Sequence, residues 1–393
     1  MPKNDLSRSL TALEQDSTLV VVIEMSLSTW MVSALVPGVA RHPLRKLEPE
    51  PSGLLAALAG WQDEAQRNGR NVKRICVAYE AGRDGFWLAR WLQARDVEAY
   101  VIHPNSIPVK REHRRAKTDR LDCALLQRAF LGWLRGEAEH CRMVAIPSLE
   151  EEDAKRPQRE REALTSERTR MINRMKGSLI RLGIRNFNPK GRKAELRLET
   201  IRTGEGLPLP AFTLAELKRD LARYRLIVEQ LKAIKAAQPE RLASADPRVA
   251  AMTPTLVRII GLGADTAELL TTEVFTRELR DQRALARYGG LTGSPDESGT
   301  KRREKGLARA GNARVRKAMI QFAWRFLRFQ PESTLANWFQ TRTKDRGKLK
   351  KTMIVALARK LLIMLWRLAT LGQVPADLAM TNLAMTTAAA TNP

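Results

Sequence analysis

TLVVVIEM (Thr18–Met25) and RICVAYE (Arg74–Glu80) are the two stretches whose reading decides the fold. Each is a short run of β-branched and apolar residues, which reads as a strand, and each carries a glutamate at its end, Glu24 and Glu80.

Around these two runs the pattern alternates. Met31–Val36 reads as a second strand after a short turn and His42–Leu47 as a weaker third. Leu54–Gln66 has helical spacing, Phe86–Ala94 reads as a helix and Val97–His103 as a strand. Lys117–Trp133 places Leu121, Leu125, Leu126 and Ala129 on one face of an amphipathic helix. The order β-β-β-α-β-α-β-α over residues 1–145 predicts a ribonuclease-H-like α/β domain.

The rest of the chain reads as helical. From about Glu151 to Ser244, within residues 146–250, strand formers are scarce, and Leu214, Leu217, Leu221, Tyr224, Ile227, Leu231 and Ile234 recur at three- and four-residue intervals. That seam fits a dimerising coiled-coil arm and a plain packed helical hairpin equally well. Residues 251–373 form a basic, mainly α-helical zone, and the Ala/Thr-rich 374–393 is expected to be a disordered tail.

Composition narrows the chemistry. The 393 residues carry 68 Lys+Arg against 43 Asp+Glu, a formal charge of +25, which calls for a polyanionic partner. No apolar run is long enough to span a bilayer, so the partner is read as nucleic acid and not membrane. Residues 1–17 are polar and lack a signal-peptide core, so a cytoplasmic setting is expected. Cys76, Cys123 and Cys141 are too scattered for a disulfide framework or a zinc site, and His42, His103, His113 and His140 show no metal-ligand spacing.

Against this basic background four carboxylates stand out. In the inferred fold Glu24 and Glu80 end neighbouring strands, and Asp119 and Asp122, three apart at a helix start, project to one face. Taken singly, each has a bland explanation, such as a helix-dipole partner or a solvated strand end. Together they would repel one another unless hard cations, Mg2+ or Mn2+, filled the cluster, and such ions suit phosphoryl transfer. Lys110, Arg111, Arg114, Arg115, Lys117 and Arg120 crowd the approach, placed to hold a phosphate backbone.

Gly289–Gly299 (GGLTGSPDESG) reads as a loop whose small residues allow close approach to a phosphate, followed by Lys301, Arg302, Arg303 and Lys305. Ser298 is placed there for attack on phosphorus, although a serine in such a loop is more often a turn residue. Gly311-Asn312 makes a turn before a helix opened by Arg314, Arg316 and Lys317. Upstream, Ile259–Gly263 (IIGLG) resembles a helix-hairpin-helix turn, and downstream Trp324, Phe326, Phe329, Trp338 and Phe339 are spaced for a helical core.

VAYEAGRDGFWLARWL (Val77–Leu92), KTDRLDCALL (Lys117–Leu126) and GLTGSPDESGTKRREKGLARAGNARVRKAM (Gly290–Met319) resemble the DEDD transposases of the IS-one-ten group of insertion sequences, relatives of the Piv DNA invertases. The resemblance runs from about residue 18 to 370. It implies a ribonuclease-H-like (Holliday-resolvase-like) DEDD domain joined to a C-terminal transposase domain with a nucleophilic serine. It further implies DNA strand exchange through a serine–DNA phosphoester, guidance by a noncoding bridge RNA, and dimers assembling into a tetramer whose composite site joins the acids of one protomer to the serine of another. By position the acids are Glu24, Glu80, Asp119 and Asp122, which hold Mg2+ or Mn2+, and the nucleophile is Ser298. The chain departs at two places: Glu24 stands where the family usually has Asp, and Gly293 where proline is common.

Two other classes compete: a junction-resolving nuclease that uses the four acids and water, and a non-enzymatic nucleic-acid binder in which the acids are structural.

Overall fold

The computed structural model describes residues 6, 8–9, 11–107, 119–137, 140–277, 279–298, 301–308, 310–344, 349–375 and 378–381, with the side chains of 105, 119, 294–298 and 301–305 outside the description. The chain divides into two compact units, Met1–Glu150 and Glu151–Pro393.

The first unit is a six-stranded mixed sheet in the order β3-β2-β1-β4-β5-β6. Its strands are β1 (Thr18–Met25), β2 (Trp30–Leu35), β3 (Leu44–Leu47), β4 (Arg74–Glu80), β5 (Glu98–Ile102) and β6 (Met143–Val144). Strands β1, β4 and β5 run parallel, while β2, β3 and β6 pair antiparallel with their neighbours. The helices α1 (Pro51–Arg67), α2 (Trp87–Gln93) and α3 (Asp119–Leu134) complete the expected order. The short edge strand β6 was not anticipated, since two paired residues leave no periodic signal.

Both faces of the sheet are buried, which explains why β1 and β4 read as nearly unbroken apolar runs. Val21, Ile23, Val77 and Tyr79 pack with Leu54, Leu58 and Trp61 of α1, and Val20, Val22, Cys76 and Ala78 pack with Leu126, Ala129 and Phe130 of α3. Away from the acids, at the start of the parallel strands, Arg74 Nε donates to Glu98 Oε1 at 2.6 Å, and Tyr100 Oη donates to Glu98 Oε2 at 2.5 Å.

The second unit is helical except for one hairpin. Beyond α4 (Leu149–Asp153), α5 (Arg156–Ile180) and α7 (Ala211–Ala236) pack on each other, with α6 (Ala194–Thr200) between them in sequence. Leu217, Leu221 and Tyr224 of the seam are buried in one cluster with Met175 and Leu179 of α5. At these positions the apolar stripe is consumed within the chain.

The rest comprises α8 (Gln238–Ala243), α9 (Pro247–Val257), α10 (Ala264–Leu270), α11 (Gln282–Tyr288), β7 (Gly293–Ser298), β8 (Lys301–Leu307), α12 (Ala313–Phe329), α13 (Thr334–Thr343) and α14 (Lys350–Leu371). Leu357, Leu361 and Leu365 of α14 centre a core that includes Leu270, Leu285, Val315, Phe322 and Phe326. Each such side chain contributes roughly 1.5–3 kcal/mol by burial. Of the aromatics expected in that core, Phe326 and Phe339 are buried, whereas Trp324 and Phe329 are about half exposed.

Of the segment expected to be a disordered tail, residues 374–375 and 378–381 are described and the rest lies outside the described residues. Met380 bridges to Ile259, and Thr381 N donates to Arg258 O at 2.8 Å. The backbone groups of the turn after α9 are thereby satisfied, a pairing that composition does not reveal.

Candidate active site

Glu24 is the penultimate residue of β1 and Glu80 the last of β4. The final registered pair of these parallel strands is Ile23 with Tyr79, so the two glutamates stand side by side one residue further on. Side chains alternate along a strand, and Glu24 and Glu80 share the parity of Val20, Val22, Cys76 and Ala78, the set packed with α3.

Helix α3 is fixed to that face by two polar contacts. Cys123 Sγ donates to Met31 O at 3.2 Å, and Met31 is the cross-strand partner of Glu24. One helical turn on, Ser33 Oγ donates to Gln127 Oε1 at 3.2 Å. Asp122, next to Cys123, is half-buried, and its Oδ2 is buried with no hydrogen-bond partner among the described residues. An unpartnered buried carboxylate oxygen costs a few kcal/mol, roughly 1–3, a penalty that a bound cation removes. Asp119 opens α3, with its side chain outside the description.

Strand register and helix anchoring thus bring Glu24, Glu80 and the first turn of α3 to one face. Among the described residues no group of three His, Cys, Asp or Glu side chains is close enough to hold a metal ion. The orphaned Asp122 oxygen and the all-oxygen donor set nevertheless fit a hard divalent cation. Burial pushes the thiols of Cys76 and Cys141 up to about 12.

The serine segment corrects the sequence reading. The stretch expected to be a loop forms an antiparallel hairpin of β7 and β8, with Ser298 opposite Lys301 in the last pair. The turn residues Gly299 and Thr300 lie outside the described residues. A signal for this hairpin was present: the register sets Asp296 opposite Arg303 and Glu297 opposite Arg302, and opposite charges across a ladder favour pairing.

The hairpin is rooted in a close approach of backbone to backbone. Gly311 has φ +82°, and a Cβ there would lie 2.7 Å from Tyr288 O and 2.8 Å from Gly290 N. Asn312 follows as the N-cap of α12, its Oδ1 accepting from Arg314 N at 3.0 Å and Val315 N at 3.3 Å. Asn312 Nδ2 reaches Glu273 Oε2 and Tyr288 Oη, each at 3.4 Å. Glu273 is buried and also accepts from Arg159 at 3.4 Å, and Arg277 lies over the Tyr288 ring. Sequence reasoning missed this network. Its one hint was Glu268 and Glu273 set among the apolar residues of AELLTTEVF (267–275).

The expected cationic residues separate into three groups. Lys110, Arg111, Arg114, Arg115 and Lys117 lie outside the described residues, and Arg120 is exposed on the first turn of α3. Lys301, Arg302, Arg303 and Lys305 lie on β8. At the start of α12, Arg314 Nε and Lys317 Nζ both donate to Glu162 of α5, at 3.0 and 3.1 Å, and Arg316 donates to Ala310 O at 3.3 Å.

Comparison with known proteins completes the assignment. The model of the family described as "Transposase IS116/IS110/IS902 family" matches residues 254–336, which include the serine hairpin. A putative transposase, y4rJ, of Sinorhizobium fredii is 40% identical over 386 residues, covering 94% of this chain and 97% of that protein. A probable family 20 transposase of Pseudomonas aeruginosa is 28% identical over 307 residues, 76% of this chain and 85% of its own. The transposase for insertion sequence element IS1328 of Yersinia enterocolitica is 28% identical over 220 residues, 55% of this chain and 62% of its own. With near full-length similarity at that identity, the chain belongs to the IS116/IS110/IS902 family of transposases.

Proposed function

We propose that this transposase cleaves and rejoins the DNA of an insertion sequence through a serine–DNA phosphoester made by Ser298, with Glu24, Glu80, Asp119 and Asp122 as the acidic centre. The observation that carries the reading is the level placement of Glu24 and Glu80 at the ends of adjacent parallel strands, on the face where α3 presents Asp122 with an unpartnered oxygen. The strand order β3-β2-β1-β4-β5 supports a ribonuclease-H-like domain.

The four acids would hold Mg2+ or Mn2+, and such an ion, when bound, supplies Lewis acidity at the scissile phosphate. The residues of the chain do the rest. In the attack the Ser298 Oγ–P bond forms while one bridging P–O bond to deoxyribose breaks. The serine proton is lost to solvent and the leaving oxygen takes one up. The phosphoester is conserved, so rejoining needs no external energy source. Lys301, Arg302, Arg303 and Lys305 on β8 offset the charge that develops on the phosphate. The family resemblance adds a bridge RNA as guide, and dimers assembling to a tetramer as the active form.

The test is to trap DNA on the protein with a suicide substrate and map the attached peptide. Ser298→Ala removes the adduct and Ser294→Ala keeps it. An adduct that survives Ser298→Ala, or strand cleavage undiminished in that variant, assigns the attack to another group or to water.

A further inference from the structure

Two antiparallel helices in a bundle are commonly joined by about 2–8 residues. Between α5 and α7 the chain instead spends residues 181–210, which fold onto a small core. Ile184, Phe187, Ala194, Leu198 and Leu209 are buried there with Met175, Leu179, Leu217 and Leu221 of the two helices. The backbone is locked as well. Gly204 N donates to Leu182 O at 2.8 Å, a Cβ on Gly183 would come within 2.9 Å of Gly204 Cα, and Arg202 bridges to Pro208.

This small fold is strongly basic. Residues 181–210 hold seven Lys/Arg and three acids. Two of these acids are already taken by bases of α7, Glu195 by Arg225 and Glu199 by Lys218, each at 2.6 Å. Arg174 is taken in turn by the buried Asp220. Arg181, Arg185, Lys190, Arg192, Lys193 and Arg197 remain exposed, and none is in an ion pair among the described residues. Buried positions alternate with them: Ile184 precedes Arg185, Ala194 follows Lys193 and Leu198 follows Arg197. Folding of the small core therefore turns these cations to solvent. A flexible basic loop would lose entropy on meeting a polyanion, whereas this surface is pre-organised, and its like charges repel until an anion spans them.

We infer that residues 181–210 form a duplex-DNA-binding module that grips the sugar-phosphate backbone without reading sequence. DNA is the substrate of the family to which the chain belongs. Double-stranded backbone is favoured over single strands because the one aromatic residue of the module, Phe187, is buried and offers no platform for base stacking. The inference does not depend on the chemistry assigned to Ser298.

The experiment uses the full-length chain carrying Arg192→Ala, Lys193→Ala and Arg197→Ala together, three exposed residues outside the core. Thermal unfolding unchanged from wild type establishes that the fold is intact, and Arg192→Lys with Arg197→Lys serves as the charge-preserving variant. Binding of a fluorescent random-sequence DNA duplex is followed by anisotropy across a salt series. The triple alanine variant raises Kd roughly tenfold or more near 0.1 M salt and flattens the slope of log Kd against log salt by about three, one per lost phosphate contact, while the lysine variant binds as wild type. Unchanged Kd and slope overturn the inference. A loss confined to an RNA hairpin probe, or an equal loss of duplex binding in Phe212→Ala, the exposed aromatic at the start of α7, overturns it too.

Discussion

The side-chain amide of Gln158 on α5 donates to Glu268 Oε2 on α10 at 2.6 Å, joining two helices 110 residues apart. Gln238 Nε2 donates to the same oxygen at 2.6 Å, and Arg241 reaches the other oxygen at 3.4 Å. Glu268 is only 3% exposed, and this ring of donors surrounds its two carboxylate oxygens. Glu268→Ala strands two buried amide donors and the half-buried Arg241, and the expected loss is about 3 kcal/mol, read as a lower urea midpoint of the second unit. A midpoint within error of wild type would show that the ring contributes nothing.

Asp122→Asn and Asp119→Asn are expected to abolish recombination while leaving the affinity for DNA largely intact, because affinity rests on the cationic surface. Chelation by EDTA is expected to do the same, and strand exchange undiminished in EDTA refutes the metal-dependent reading. Glu24→Asp, one methylene shorter and the residue usual in the family, is expected to retain activity.

Arg74 beside Glu98 holds that carboxylate below its ordinary value of 4.5, with Tyr100 adding a second hydrogen bond. A depressed carboxylate stabilises the fold above its unfolded pKa and loses that contribution as pH falls through the folded pKa. Wild type should therefore melt higher than Glu98→Gln at neutral pH, with the gap closing below about pH 4.5. A gap independent of pH would assign the effect to packing.

Gly311→Ala forces a side chain onto a backbone with φ +82° and against Tyr288 O and Gly290 N. The expected cost is about 2 kcal/mol or more, with loss of strand cleavage because the root of the serine hairpin must shift. Circular dichroism melting and a cleavage assay on the same preparation check both parts. Asn312→Ala, which removes the cap and the link to Glu273, is expected to act in the same direction.

Much of the first unit was legible in the sequence because its strands are buried on both faces, and β-branched runs such as TLVVVIEM have no other stable reading. The element order and the strand-end positions of Glu24 and Glu80 followed from periodicity alone, and the third helix, read as Lys117–Trp133, is described as Asp119–Leu134. Family membership was legible for a different reason: three separated motifs in fixed order are specific even when each alone is weak.

Tertiary structure decided what depends on pairing between distant residues. The β7–β8 hairpin hid behind glycines and a proline that suggested a loop, since its strands carry no apolar alternation to mark them. The stripe of Leu217, Leu221 and Tyr224 had no stated partner until Met175 and Leu179 of the same chain covered it. Burial of Glu268 and Glu273 was equally invisible, because the sequence records that a carboxylate is charged but not which donors surround it. Periodicity encodes which face of an element is apolar. Only the folded chain decides what that face meets, and which charges are neutralised inside the molecule or left exposed for a partner.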